Sequence, residues 1–154
     1  MSNSLLQLER CFPAALEIVS KVNTCAEPTG SSAPSISFSY NLMKHPDEQR
    51  YFLRVNVSCD WEPASDAYYL RIATEWHGFF KLPDDTPDDE IAKYVPALCI
   101  ANVIGIARGQ IALNTGSFLG GAFYLPLLNV YELIANNPPS SDETEALSEQ
   151  RIEQ

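Results

Sequence analysis

The chain is short of positive charge: ten Lys and Arg stand against twenty Asp and Glu over 154 residues, a formal net charge of −10 at pH 7. Nucleic acid and anionic membrane surfaces both attract an excess of cations, so neither is expected as a partner. Imidazoles number two, His45 and His77. The four cysteines, at 11, 25, 59 and 99, form no C-x-x-C pair, and the N-terminus lacks a basic start followed by an apolar core. Reduced thiols in a cytoplasm are expected rather than a secreted disulfide framework. The apolar run 97–113 is interrupted by Asn102, Arg108 and Gln110 and contains Gly105 and Gly109. A membrane span needs about 20 predominantly apolar residues, so this run reads as a buried helix. P-loop, G-x-S-x-G, H-E-x-x-H and G-x-G-x-x-G patterns are all missing, which removes the commonest nucleotide, acyl-transfer and zinc chemistries. No local ligand spacing supports a metal, and no cofactor is expected.

Period-two alternation is present. In SISFSY, Ile36, Phe38 and Tyr40 alternate with serines; Leu53, Val55, Val57 and Cys59 then alternate with Arg54, Asn56 and Ser58. Residues 67–80 put Tyr68, Leu70, Ile72, Thr74 and Trp76 on one face and Tyr69, Arg71, Ala73, Glu75 and His77 on the other, with Gly78 read as a bulge. These are half-buried strands. Upstream, Leu16, Ile18, Ser20 and Val22 alternate with Glu17, Val19 and Lys21. Pro13 would break or bulge that strand and suits a sheet edge, while LLQLER (5–10) is also compatible with a short helix. Residues 1–4 read as a frayed end, 24–34 as a loop, and 44–49 and 61–66 as turns. Short connections favour an antiparallel meander.

Helical signals begin at Thr86, with Pro87 at the first helical position and Asp88, Asp89 and Glu90 in the first turn. A hydroxyl cap, an early proline and acids against the dipole make a strong start. The same acids, with Asp84 and Asp85, could form a docking patch, but a cap and a solvated turn explain them more simply. Pro96 predicts a kink or two helices meeting, and 114–116 is a favourable exit. A second helix is predicted from Asn129, with Glu132 in capping-box spacing, to about Ala135, ahead of Asn137-Pro138-Pro139. A helix apolar on nearly every face must meet a sheet on one side and, in a small protein, another subunit on the other. Leu98, Ile100, Val103, Ile104 and Ile111 are the expected oligomer contacts. The expected domain is 1–135; residues 136–154, with acids at 142, 143, 145, 149 and 153 against Arg151, read as an acidic disordered tail. The expected class is α+β: a four-stranded antiparallel sheet, then a long kinked helix and a short C-terminal helix.

His77 and Glu75 share a strand face and could act as an acid–base pair. With no nucleophile or oxyanion donor beside them, a structural pair is the better reading, and the protein is not expected to be an enzyme. Cys59 and Cys99 serve as small apolar fillers, and Trp61 and Trp76 as core or rim.

Several of these segments together resemble SecB, the cytoplasmic export chaperone family. YFLRVNVSC looks like the family's strand of alternating Val, Arg and Thr, and AYYLRIATEWHGFFKL like the strand after it. YVPALCIANVIGIARGQ occupies the place of its Pro-containing long helix, QLER resembles its opening strand, and Gly116, Phe118, Pro126 and Asn129 fall where the family leads into its last helix. The resemblance implies an ATP-independent holdase built as a dimer of dimers, which keeps unfolded or pre-secretory polypeptides in apolar grooves and passes them to the SecA motor. By position, the groove would be lined by Phe79 and Phe80 on the sheet, by Phe118, Phe123, Tyr124, Leu125 and Leu127 on the loop, and by Val130 and Leu133 on the last helix. Ala15, Val19 and Ala73 stand where the family docks SecA through acids, and Gly120-Gly121 replaces its Pro-containing loop start. The runner-up is therefore a SecB-like chaperone dedicated to another partner, an antitoxin or a single secreted protein. From other classes, a small-molecule carrier or thioesterase with a sheet-wrapped helix would use Glu75 and His77, and an oligomerisation module would bind no unfolded chain.

Overall fold

Four alternating segments pair into one antiparallel sheet in the order β1-β4-β3-β2. The computed structural model describes residues 6–22, 34–61, 68–118 and 121–137. The strands are β1 (Gln7–Val22), β2 (Ser35–Lys44), β3 (Arg50–Trp61) and β4 (Tyr68–Lys81); α1 (Asp88–Thr115) and α2 (Val130–Asn136) follow. The expected frayed start, nearly all of the 24–34 loop and the 61–66 turn, Gly120, and the tail from 138 onward lie outside the described residues.

The expected meander holds for β2, β3 and β4. β1 departs from it: it lies beside β4, at the edge opposite β2. The helical alternative for LLQLER gives way to strand from Gln7 onward. Register shifts fall between Leu8 and Arg10 and between Pro13 and Ala15. Proline cannot donate to a ladder, so its place at a bulge on an edge strand follows. Each bulge reverses which face the next residues take. Leu16 and Ile18 pair with Thr74 and Ile72, while Phe12 pairs with His77, which faces the other way.

Gly78 is not a bulge. Its register runs unbroken against Cys11 of β1 and Leu53 of β3. The reason for glycine is the helix above it: an added Cβ would stand 2.8 Å from Phe80 Cε2 and 2.8 Å from Val103 Cγ2. The missing side chain lets α1 settle onto β4.

α1 is one helix of 28 residues that continues through Pro96 instead of dividing there. Its start also differs from expectation. Pro87 occupies the N-cap position without a side-chain cap, and the Thr86 hydroxyl donates instead to the Pro83 carbonyl at 2.8 Å. Asp88, Asp89 and Glu90 remain in the first turn, where they face the positive end of the dipole. At the other end Gly116 stays in the helical region (φ −59°) and donates to the Leu113 carbonyl.

The core lies between α1 and one face of the sheet. Leu53, Val55, Val57 and Cys59 of β3 and Leu70, Ile72, Trp76 and Phe80 of β4 meet Cys99, Ile100, Val103, Ala107 and Ile111 of α1. Burying each of the larger aliphatic side chains contributes about 1.5–3 kcal/mol. This burial corrects the expected oligomer contacts. Ile100, Val103, Ile104 and Ile111 are closed off inside the protomer, because they are the helix's sheet-facing side; of the five, Leu98 alone is open, at 48% exposure. α1 is long and apolar enough by composition to cross a membrane, but nine of its residues are buried within this domain.

Candidate functional site

The segment leaving α1 is tied back onto that helix at two points. Thr115 is fully buried; its hydroxyl donates to the Ile111 carbonyl at 2.8 Å and accepts the Phe123 N–H at 2.7 Å. Arg108 Nε donates to the Leu125 carbonyl at 2.8 Å. Residues 121–129 thus run irregularly beside α1 with their backbone held by side chains. Gly121 begins the return with φ +74°, a conformation that favours glycine.

Between these ties the side chains alternate. Phe123 and Leu125 turn inward, at 6% and 1% exposure, while Tyr124 and Leu127 stand out at 68% and 85%. The Phe123 ring lies against Trp61, centroids 5.5 Å apart and tilted by 51°. Beside them opens a cavity of about 330 Å³, lined chiefly by Trp61, Leu70, Phe118, Phe123, Tyr124 and Pro126. Ser20, Pro34, Gly121 and Ala122 complete it, so among the described residues no carboxylate, imidazole or amine faces in. Such a trough offers apolar and aromatic contact with little directional chemistry.

α2 closes the segment. Asn129 caps it as expected, its Oδ1 accepting the Tyr131 and Glu132 N–H groups at 3.1 and 3.5 Å. Val130 and Leu133 pack half-buried against the core.

Besides Val130 and Leu133 on α2, the expected groove residues separate into three groups. Phe118, Phe123 and Tyr124 come together at the cavity, with Leu127 exposed farther along the loop. Phe80 and Leu125 are sealed at 1% exposure each, so they support the site from within the core. Phe79 lies on the opposite face of the sheet, where it contacts Phe52 and Phe12. Trp61, Leu70 and Pro126 were not expected at the site. Alternation from Cys59 already places Trp61 on the helix-facing side, and that was the available signal.

The His77–Glu75 pair exists, with Nε2 and Oε1 2.7 Å apart and Arg54 Nε 3.9 Å from the same carboxylate oxygen. It lies on the sheet face away from α1. The imidazole's ring neighbours are Phe12 and Phe52, not a hydroxyl or thiol. Burial pushes the Cys99 thiol up to about 12, and burial, with Asp60 second, pushes Cys59 up to about 11, so neither supplies a thiolate near neutrality. Among the described residues no three His, Cys, Asp or Glu gather as a metal-binding group.

No family model matches the sequence, and no curated protein matches it. Among solved structures the chain is similar to the SecB-like chaperone Rv1957 of Mycobacterium tuberculosis, in complex with a ChAD peptide from the HigA1 antitoxin. That likeness has a TM-score of 0.60 at 12% identity and covers 80% of this chain and 91% of that one. A protein of unknown function from Streptococcus agalactiae matches with a TM-score of 0.47 at 10% identity, over 82% of this chain and 100% of that one. The α+β architecture, a four-stranded antiparallel sheet carrying a long and a short helix, is therefore SecB-like.

Proposed function

We propose that the protein is an ATP-independent holdase of the SecB type, acting in the cytoplasm, that keeps a client polypeptide non-native by covering its apolar side chains in the Trp61–Phe123–Tyr124 trough. The observation that carries this reading is an aromatic, uncharged cavity built on an irregular but firmly tied segment. Its mechanism is burial, worth about 25 cal/mol per Å² of apolar area and offset by ordering of the client. Tyr124 and Leu127 supply exposed contacts, while Trp61 and Phe123 supply the packed wall.

The client is a dedicated one, such as an antitoxin or a single secreted protein, and delivery does not run through SecA. Two observations support this. Ala15, Val19 and Ala73 leave the sheet without acids at the positions where the resemblance implies SecA docking. The structural neighbour is bound to an antitoxin peptide.

The protein works as a dimer of dimers whose contacts use the open face of α1. Tyr94, Leu98, Ile106 and Leu113 are exposed there, and exposed Gly105 and Gly109 let a second helix approach closely. Light scattering tests the assembly, and a refolding assay tests the function. Stoichiometric protein, with no nucleotide, should slow the refolding or aggregation of a denatured client. Unchanged client kinetics would refute the chaperone reading.

A further inference from the structure

α1 covers one face of the sheet; no helix among the described residues lies on the other, yet three phenylalanines gather on it. Phe52 and Phe79 lie with centroids 4.9 Å apart, and Phe12 stacks on Phe79 at 6.2 Å. His77 meets Phe12 and Phe52 edge-on at 5.6 and 5.1 Å. All three phenylalanines are half-buried, packed against one another with no covering element among the described residues. The Arg10 guanidinium stands 5.4 Å from the Phe12 centroid and 5.9 Å from that of Phe79, in cation–π range. From Phe52 and Phe79 a cavity of about 300 Å³ extends past Met43, Lys44, His45 and Arg50, with Glu9 the one acid in its wall.

The charges around this cluster have one dominant sign. Same-face neighbours two positions along each strand are Arg10 beside Phe12, Arg50 and Arg54 beside Phe52, and His77 and Lys81 beside Phe79. Four of the chain's ten cations thus flank three phenylalanines, in a protein of net charge −10. Arg50 and Lys81 even stand directly opposite each other, where like charges destabilise a strand pair. Acids temper part of this: Glu48 and Glu9 pair with Arg50 at 2.9 and 3.6 Å, and Glu75 with His77 and, at 3.9 Å, with Arg54. Arg10 and Lys81 make no ion pair among the described residues.

We propose that this bare face is a second recognition surface, for an acidic polypeptide segment anchored by an aromatic or long aliphatic side chain. The anchor enters between Phe52 and Phe79, and the segment's carboxylates meet Arg10, Arg50 and Lys81. Apolar anchors in aromatic pockets carry affinity, and a ring of one charge selects the partner's sign. The surface is separate from the trough and does not depend on holdase activity.

The test uses the full-length protein and two dye-labelled pools of short peptides, each with a central Trp, one rich in Asp and Glu and the other in Lys and Arg. Fluorescence anisotropy should show the acidic pool binding at least about tenfold more tightly at low salt. Phe79→Ser should weaken that binding about tenfold, and so should Arg10→Glu combined with Lys81→Glu, which keeps the test sound if the serine variant unfolds. Refolding delay at the trough should be unchanged in the charge-reversed variant. Equal binding of both pools, no binding of either, or acidic-pool binding indifferent to charge reversal would each overturn the proposal. Loss of self-association in place of peptide binding would overturn it too, assigning the face to a second copy of the chain.

Discussion

Phe79 and Phe80 are neighbours in β4, identical in chemistry, and face opposite ways. Phe80 is 1% exposed beneath α1, whereas Phe79 joins an aromatic cluster that neither described helix covers. The contrast extends to the two faces they belong to. On one, β3, β4 and α1 close over each other and glycine at 78 is required for contact. On the other, apolar rings are held in place by strands alone. Apolar area on the first face stabilises the fold; on the second it remains available to another molecule.

The comparison would break if the two phenylalanines proved energetically alike. Phe80→Ala should cost about 3–5 kcal/mol in urea denaturation, as large-to-small changes in sealed cores do. Phe79→Ala should cost less, about 1–2 kcal/mol, since its ring is only half-buried. Gly78→Val sharpens the point from the helix side. Its Cβ would meet the Phe80 and Val103 side chains at 2.8 Å, so those side chains or α1 must shift, at about 1–3 kcal/mol of stability.

Thr115→Val keeps the side-chain shape but removes the acceptor for the buried Phe123 N–H. It should cost about 1–3 kcal/mol and speed amide exchange at Phe123, because the loop loses one of its two ties. Unchanged exchange would mean that Arg108 alone holds the segment.

The last effect is one of pH. Cys59 and Cys99 have folded-state pKa values near 11 and 12, against an ordinary 9.0. Below pH 9.0 both states keep these protons, and the thiols' contribution to stability is fully present. Above it the unfolded chain releases them first, so stability falls as pH rises toward the folded values. The urea midpoint should decline between roughly pH 8 and pH 10, and less steeply in Cys99→Ala. A midpoint that rises over that interval would contradict the burial of these thiols.

The strands β2, β3 and β4 were legible because one buried face imposes strict alternation on each. β1 was not, since two bulges reverse its phase within a few residues and leave Cys11, Phe12 and Pro13 without a readable period. α1 was legible as a helix but not in orientation. Apolar residues on nearly all sides give periodicity nothing to select, and Ile100, Val103, Ile104 and Ile111 were assigned to the wrong partner. Gly105 and Gly109 mark the open side, a signal carried by size and not by hydropathy. At the trough, Phe118, Phe123 and Tyr124 were expected from the order of elements that the resemblance implies. Trp61 was not, because its partner Phe123 lies 62 residues away along the chain and nothing local links them.

The central claim is that a non-native polypeptide lies against the 121–129 segment. A photo-reactive benzoyl-phenylalanine in place of Tyr124 tests it directly, with the same group at Tyr94 on the open face of α1 as the comparison. The account predicts a covalent adduct with a denatured client from position 124, no adduct with the same client once folded, and chain-to-chain adducts from position 94. Client adducts absent at 124, or formed there equally with the folded protein, would contradict it.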